Sequence, residues 1–201
     1  MKILIDNGHG AETRGKQSPD GKLREFSYTR EIARRIAADR RLHPYSPELL
    51  VPESADIPLG QRCRRANAWC DRLGSANVLL VSIHLNAAGC GQWMRGRGWE
   101  AWTSPGKTNA DTLAEALYQA AKELLPPGTP IRCDYTDGDS DKESRFTILT
   151  GTRCPAVLTE NLFQDNQEES EYLMSEEGKA IITELHVRGI MNYIQHALKK
   201  L

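Results

Sequence analysis

Four side chains in this sequence are of the types that hold a metal ion and move protons; three follow apolar runs and the fourth opens a helical stretch after a polar loop. They are His9 in IDNGHG, Glu25 in LREF, His84 in LLVSIHLNAAG and Glu160 in PAVLTEN. Two imidazoles and one carboxylate form a common ligand set for catalytic Zn²⁺, with water in the fourth position. A further carboxylate near that water can serve as general base. The spacing is not HExxH, so no single helix carries the set. A serine-type triad is less well supported: Ser82 shares a strand face with His84, but the chain has no GxSxG elbow. Residue chemistry alone therefore points to metal-assisted hydrolysis and leaves open which carboxylate binds and which titrates.

The elements that must position these groups follow from hydrophobic period. Residues 2–6 read as a short strand with His9 just beyond it, and 11–24 as a polar, turn-rich loop. From 25 to about 41, Ile32, Ala33, Ile36 and Ala37 recur at helical spacing. A short strand is expected at 49–51 and a helix at 58–73. The central strand is expected at 78–83, ended by His84, and another short strand at 98–102. A helix over 108–125 ends at Pro126 and Pro127. Residues 132–145 form a polar segment, 155–159 a last core strand ended by Glu160, and 175–199 a closing helix. Alternating strands and helices predict an α/β fold: one domain over 1–201, with helices on both faces of a mostly parallel or mixed sheet. Ligands of such sheets bind beyond the carboxyl ends of the strands, where His9, His84 and Glu160 are expected.

Bulk composition narrows the partners. The chain has 201 residues, 39% apolar and 26% charged, with 26 basic and 27 acidic side chains and a net charge of −1. That balance gives no reason to expect nucleic acid or an anionic membrane surface. No apolar run approaches the ~20 residues that span a bilayer. The amino-terminal MKILIDNGHG lacks the pattern of a secretory signal. Five cysteines, Cys63, Cys70, Cys90, Cys133 and Cys154, show no metal spacing. Cys63 and Cys70 would lie about 10 Å apart along one helix, too far for a disulfide. The set reads as small buried side chains in a reducing compartment.

The motifs IDNGHG, LREF, PLGQRCRRAN, VSIHLNA, GWEAW and CPAVLTENLFQDN, in this order, resemble the zinc-dependent N-acetylmuramoyl-L-alanine amidases of the amidase-3 group. The likeness runs from residue 3 to about 194. SIHxNA together with PAVLxExxFxxN carries most of its specificity. It implies a six-stranded sheet packed between helices, and hydrolysis of the amide between the muramic acid lactyl group and L-alanine of peptidoglycan. It makes His9, Glu25 and His84 the ligands of one Zn²⁺ and Glu160 the general base. Asp6, Arg62, Asn86 and Asn161 become candidates for holding ligands or substrate, and Trp93 and Trp99 for stacking on a sugar. Trp69 reads as core, while His43, His186 and His196 have no partnered ligand pattern.

Ala11 stands where the family usually has glycine. The stretch between His84 and GWEAW is too short for the helix that covers the zinc in regulated relatives, so an open site is expected. The substrate would be peptidoglycan or muropeptide and the acting form a monomer. Such a chain is made in the cytoplasm and reaches the wall by export or as a phage-type lysin. Two other readings are a muropeptide-binding module without activity and a zinc peptidase acting on free peptides. A binding module would be expected to have lost a ligand or the base.

Overall fold

The apolar runs become strands whose alternate residues feed two separate cores. A computed structural model describes residues 1–89 and 91–198. β1 (Lys2–Asn7) sends Ile3 and Ile5 to one face and Leu4 to the other. β3 (Val78–Asn86) does the same with Leu79, Val81 and Ile83 against Val78 and Leu80. Strands covered on both faces need no polar side, which is why they read as continuous apolar runs.

Among the described residues, six strands form one mixed sheet in the order β2-β1-β3-β6-β4-β5. β2 (Glu48–Leu49), β1, β3 and β6 (Ala156–Phe163) run parallel. β4 (Trp99–Thr103) is antiparallel to β6, and β5 (Lys142–Glu143) is parallel to β4. One face is packed by α1 (Glu25–Ala37), α3 (Asn109–Leu124), α5 (Gln167–Met174) and α6 (Glu176–Leu198). The other is packed by α2 (Leu59–Leu73) and the single turn α4 (Thr147–Thr150). This is the α/β architecture expected.

Several boundaries differ for local reasons. α1 stops at Ala37, because the Asp39 carboxylate accepts the Arg41 N–H at 2.9 Å and draws the chain into a turn. α3 starts where Thr108 and Asp111 form a capping box. The closing helix is preceded by α5; extended Ser175 separates them and accepts the Gly178 N–H at 2.9 Å. The polar segment contains β5. Cys63, Cys70 and Cys154 are buried, Cys133 is half-buried and all four are free; Cys90 lies outside the described residues.

The largest difference bears on the site. His84 and Glu160 do not end their strands. β3 continues to Asn86 and β6 to Phe163, with a register shift beyond the His84–Glu160 pair. Leu162 takes a left-handed φ of 65° at that irregularity. The polar residues after each run read as strand stops, whereas the ladder absorbs them by bulging.

Candidate active site

His9 sits in the turn after β1 with φ 59°, a left-handed conformation that a non-glycine residue holds only when its surroundings enforce it. Arg62 enforces it. This buried guanidinium donates to the carbonyls of Asn7 at 2.5 Å and His9 at 3.4 Å, and to Asp6 Oδ1 at 3.0 Å. Asp6 also accepts the Ser82 hydroxyl at 2.5 Å. Asp6 and Arg62 thus brace the His9 turn from β1 and α2. The flanking glycines are steric requirements. A Cβ on Gly8 would lie 2.6 Å from His84 Nδ1, and one on Gly10 would lie 2.1 Å from the Asp56 backbone nitrogen.

Glu25 opens α1 and is fully buried. Its Oε1 accepts the Leu85 N–H at 3.0 Å and lies 3.2 Å from His84 Nδ1 and 3.5 Å from His9 Nε2. Its Oε2 accepts from Gln164 Nε2 at 3.3 Å. Burial works against the Glu25 anion, but the His84 hydrogen bond, both imidazoles and the Leu85 N–H outweigh it and hold the carboxyl below its usual range. Burial lowers His9 to about 4, despite the nearby Glu25 charge. His84 is also desolvated, yet its hydrogen bond to Glu25 and the charges of Glu25 and Glu160 raise it overall.

One donor atom each from His9, Glu25 and His84 lies within 4.8 Å of the others. Donors bound to one tetrahedral zinc at roughly 2.0–2.2 Å stand about 3.3 Å apart. The 3.2 and 3.5 Å separations fit that spacing. Nitrogen and oxygen donors, one of them a carboxylate kept ionised, also suit zinc. The two imidazole rings meet edge to face, their centroids 5.2 Å apart.

Glu160 pairs in register with His84 across β3 and β6. It is half-buried, and its Oε2 is enclosed with no hydrogen-bond partner. Burial and the carboxylates of Glu25 and Glu100 push it up to about 8, against the pull of His84. It is a proton-holding group beside a metal-type triad. His9, His84 and Glu160 line a cleft of about 480 Å³, with Lys16, Leu59 and Phe146 at its walls. Residues 87–89 and 91–98 contain no helix, so none of that described stretch covers the cleft helically.

The remaining sequence candidates separate. Asn86 Nδ2 donates to Glu100 Oε1 at 2.9 Å. Glu100 pairs with Glu160 across β6 and β4 and is held by Arg132 and Lys142 at 2.5 and 2.8 Å. Asn161 turns to the other face of the sheet, where it donates to the His84 carbonyl at 3.0 Å and accepts from Trp99 Nε1 at 2.9 Å. Trp99 is therefore not a sugar platform. It is wholly enclosed in the core, edge-on to Tyr118 of α3. Trp93 is 39% exposed but lines a separate groove with Arg97 and Glu168. The exposed aromatic in the cleft is Phe146, which packs on Trp102. Sequence reading missed Phe146, Lys16, Gln164 and Glu100. Gln164 and Glu100 lie inside the quoted motifs TENLFQDN and GWEAW, where polar residues interrupt apolar runs.

Comparison with known proteins bears on the same residues. A family model described as N-acetylmuramoyl-L-alanine amidase matches residues 3–192. The amidase CwlM of Bacillus licheniformis is 28% identical over 191 residues, covering 94% of this chain and 67% of that protein. The endolysin of Bacillus phage SPP1 is 27% identical over 208 residues, covering 98% of this chain and 67% of the endolysin. The catalytic domain of CwlV, an amidase of Paenibacillus polymyxa, superimposes with a TM-score of 0.78 at 22% identity, covering 97% of this chain and 99% of that one. At that identity the superposition shows a shared fold. The matched span takes in His9, Glu25, His84 and Glu160, and the chain belongs to the N-acetylmuramoyl-L-alanine amidase family, amidase-3 group.

Proposed function

We propose that residues 1–201 form one catalytic domain that hydrolyses the amide between the lactyl group of N-acetylmuramic acid and L-alanine in peptidoglycan, using one Zn²⁺. The observation that carries this reading is the convergence of His9, Glu25 and His84 beside Glu160 in an open cleft. Zinc held by those three residues supplies a Lewis acid and a water acidified toward neutrality.

The chain's own groups supply the rest. Glu160 takes a proton from the attacking water and returns it to the amide nitrogen as the C–N bond breaks. Its elevated proton affinity suits the delivery half of that transfer, and a cation held by the triad would lower it so that the ionised carboxylate is available for the first half. Gln164 and the Leu85 N–H fix the Glu25 carboxylate. Arg62 and Asp6 fix the turn that aims His9. Phe146 and Leu59 offer apolar surface to the substrate, and Lys16 offers positive charge near Glu160.

Among the described residues no helix is long and apolar enough to cross a membrane. The substrate partner is peptidoglycan or muropeptide, met by a monomer after export or phage-type release; a phage endolysin among the relatives supports the second route. Presence of all four reacting residues favours an enzyme over a muropeptide-binding module. Metal analysis of the purified chain tests the proposal. The expected result is one zinc per chain, loss of muramyl-peptide hydrolysis on chelation and recovery with added zinc. Full hydrolysis by metal-free protein would overturn it.

A further inference from the structure

Lys16, Arg62 and Arg145 are the lysine and arginine side chains that line the cleft. Arg62 is engaged by Asp6 and Asp56 at 3.0 and 3.2 Å while it braces the His9 turn. Lys16 and Arg145 form no ion pair and no side-chain hydrogen bond among the described residues, so the cleft holds two cations that its own carboxylates leave unmatched.

Backbone contacts set where both stand. The Lys16 carbonyl accepts the Glu25 N–H at 3.0 Å, and Gln17 and Arg24 form an antiparallel bridge, so the loop carrying Lys16 is closed onto the start of α1. Lys16 is half-buried, and its charge reaches both His9 and Glu160. Arg145 is exposed and lies between two fixed neighbours. The Ser144 N–H donates to the Thr103 carbonyl at 3.0 Å, and the Phe146 carbonyl accepts the Leu149 and Thr150 N–H groups at 2.9 and 3.0 Å as α4 begins. The two cations therefore reach the cleft from separate elements, one from the loop before α1 and one from the segment before α4.

On the substrate proposed above, the anion they would meet has one source. N-acetylated sugars are uncharged, and the muramic acid carboxyl is consumed in the scissile amide, so ionised carboxylates come from the peptide arm. A cleft of about 480 Å³ takes a ligand of small-molecule size. The carboxylate within its reach is then close to the L-alanine, not at the far end of the stem. We propose that Lys16 and Arg145 bind the free carboxylate of the stem residue that follows L-alanine, and so select stems in which this group is ionised over stems in which it is amidated. A carboxamide has nearly the same shape but no charge, and it loses the charge-assisted hydrogen bonds that ammonium and guanidinium groups give.

Two muramyl dipeptides test this. Both carry an amidated distal carboxyl on the second residue, D-glutamate, and they differ only in whether its α-carboxyl is free or amidated. With the zinc-loaded chain, the free carboxylate should lower KM about tenfold at similar kcat, because the contact is shared by ground and transition states. Lys16→Gln and Arg145→Gln should each cut that preference to about threefold, and the double variant should remove it. The ratio between substrates cancels any effect of the Lys16 charge on Glu160 and any loss of folded protein, since one sample hydrolyses both. Calorimetric titration of zinc-loaded Glu160→Gln with each dipeptide reads the same preference as a ratio of Kd without turnover. Hydrolysis of neither dipeptide by the zinc-loaded chain would defeat the amidase reading, while the Kd ratio would still decide the role of the two cations. Equal treatment of the two dipeptides, a preference for the amide, or a preference that survives in the double variant would overturn the proposal.

Discussion

His84 and Glu160 stand opposite one another on adjacent parallel strands, so a candidate metal ligand and a carboxyl of raised proton affinity are neighbours by backbone register. Register is hard to shift where both sheet faces are buried. The two residues should therefore separate cleanly by substitution. His84→Ala should lose zinc and turnover together. Glu160→Gln should retain zinc while turnover falls at least about 10²-fold. Metal content and kcat measured on the same samples check this; near-full turnover by zinc-loaded Glu160→Gln would remove Glu160 as the base.

Gly8→Ala should act through the metal site. The added methyl would lie 2.6 Å from His84 Nδ1 and 3.1 Å from Glu25 Oε1, in the space between two ligands. Zinc affinity should fall at least about tenfold, in the range seen when groups that orient ligands are altered. Competition with a chromophoric chelator reads the affinity, and a melt of the metal-free protein reads separately what the displaced His84 ring costs the fold.

Phe146→Ala should raise KM about fivefold with kcat nearly unchanged. An exposed ring against substrate contributes about 1 kcal/mol of binding shared by ground and transition states. Trp93→Ala should leave KM unchanged, because Trp93 lines a different groove. Steady-state kinetics of both variants on one muramyl peptide make the comparison, and the reverse pattern would reassign the platform.

His186 should shape acid stability. It is wholly buried in α6, paired with the Ile182 carbonyl at 2.7 Å and the Thr159 hydroxyl at 2.9 Å, and burial lowers it to about 4. The unfolded chain takes up its proton near pH 6.5. The contribution of this histidine is therefore complete above pH 6.5 and is lost as pH falls toward 4, by up to about 3 kcal/mol. Urea unfolding of the metal-free protein at pH 7 and 4.5 should show a smaller pH dependence in His186→Gln than in the wild type.

The site was legible because its residues interrupt apolar runs. A histidine after Ile83 and a glutamate after Thr159 stand out in strands otherwise buried on both faces. Where the strands stop was not legible, since the bulge at Leu162 depends on the pairing of β3 with β6. Trp99 illustrates the same limit. Alternation along β4 puts Trp99 and Ala101 on one face and Glu100 and Trp102 on the other, but only the packing of α3 decides which face is sealed. Phe146 lay just past a polar segment with no period to read. The Glu100–Arg132–Lys142 cluster joins β4, β5 and the intervening loop, and nothing local in sequence announces it.

The most direct measurement is amino-terminal and reducing-end analysis of purified peptidoglycan digested by the zinc-loaded chain. New amino-terminal alanine is expected, released in step with lost turbidity, with no new reducing sugar ends. New amino termini on other residues, new reducing ends, or an inert wall in the presence of fully zinc-loaded protein would contradict it.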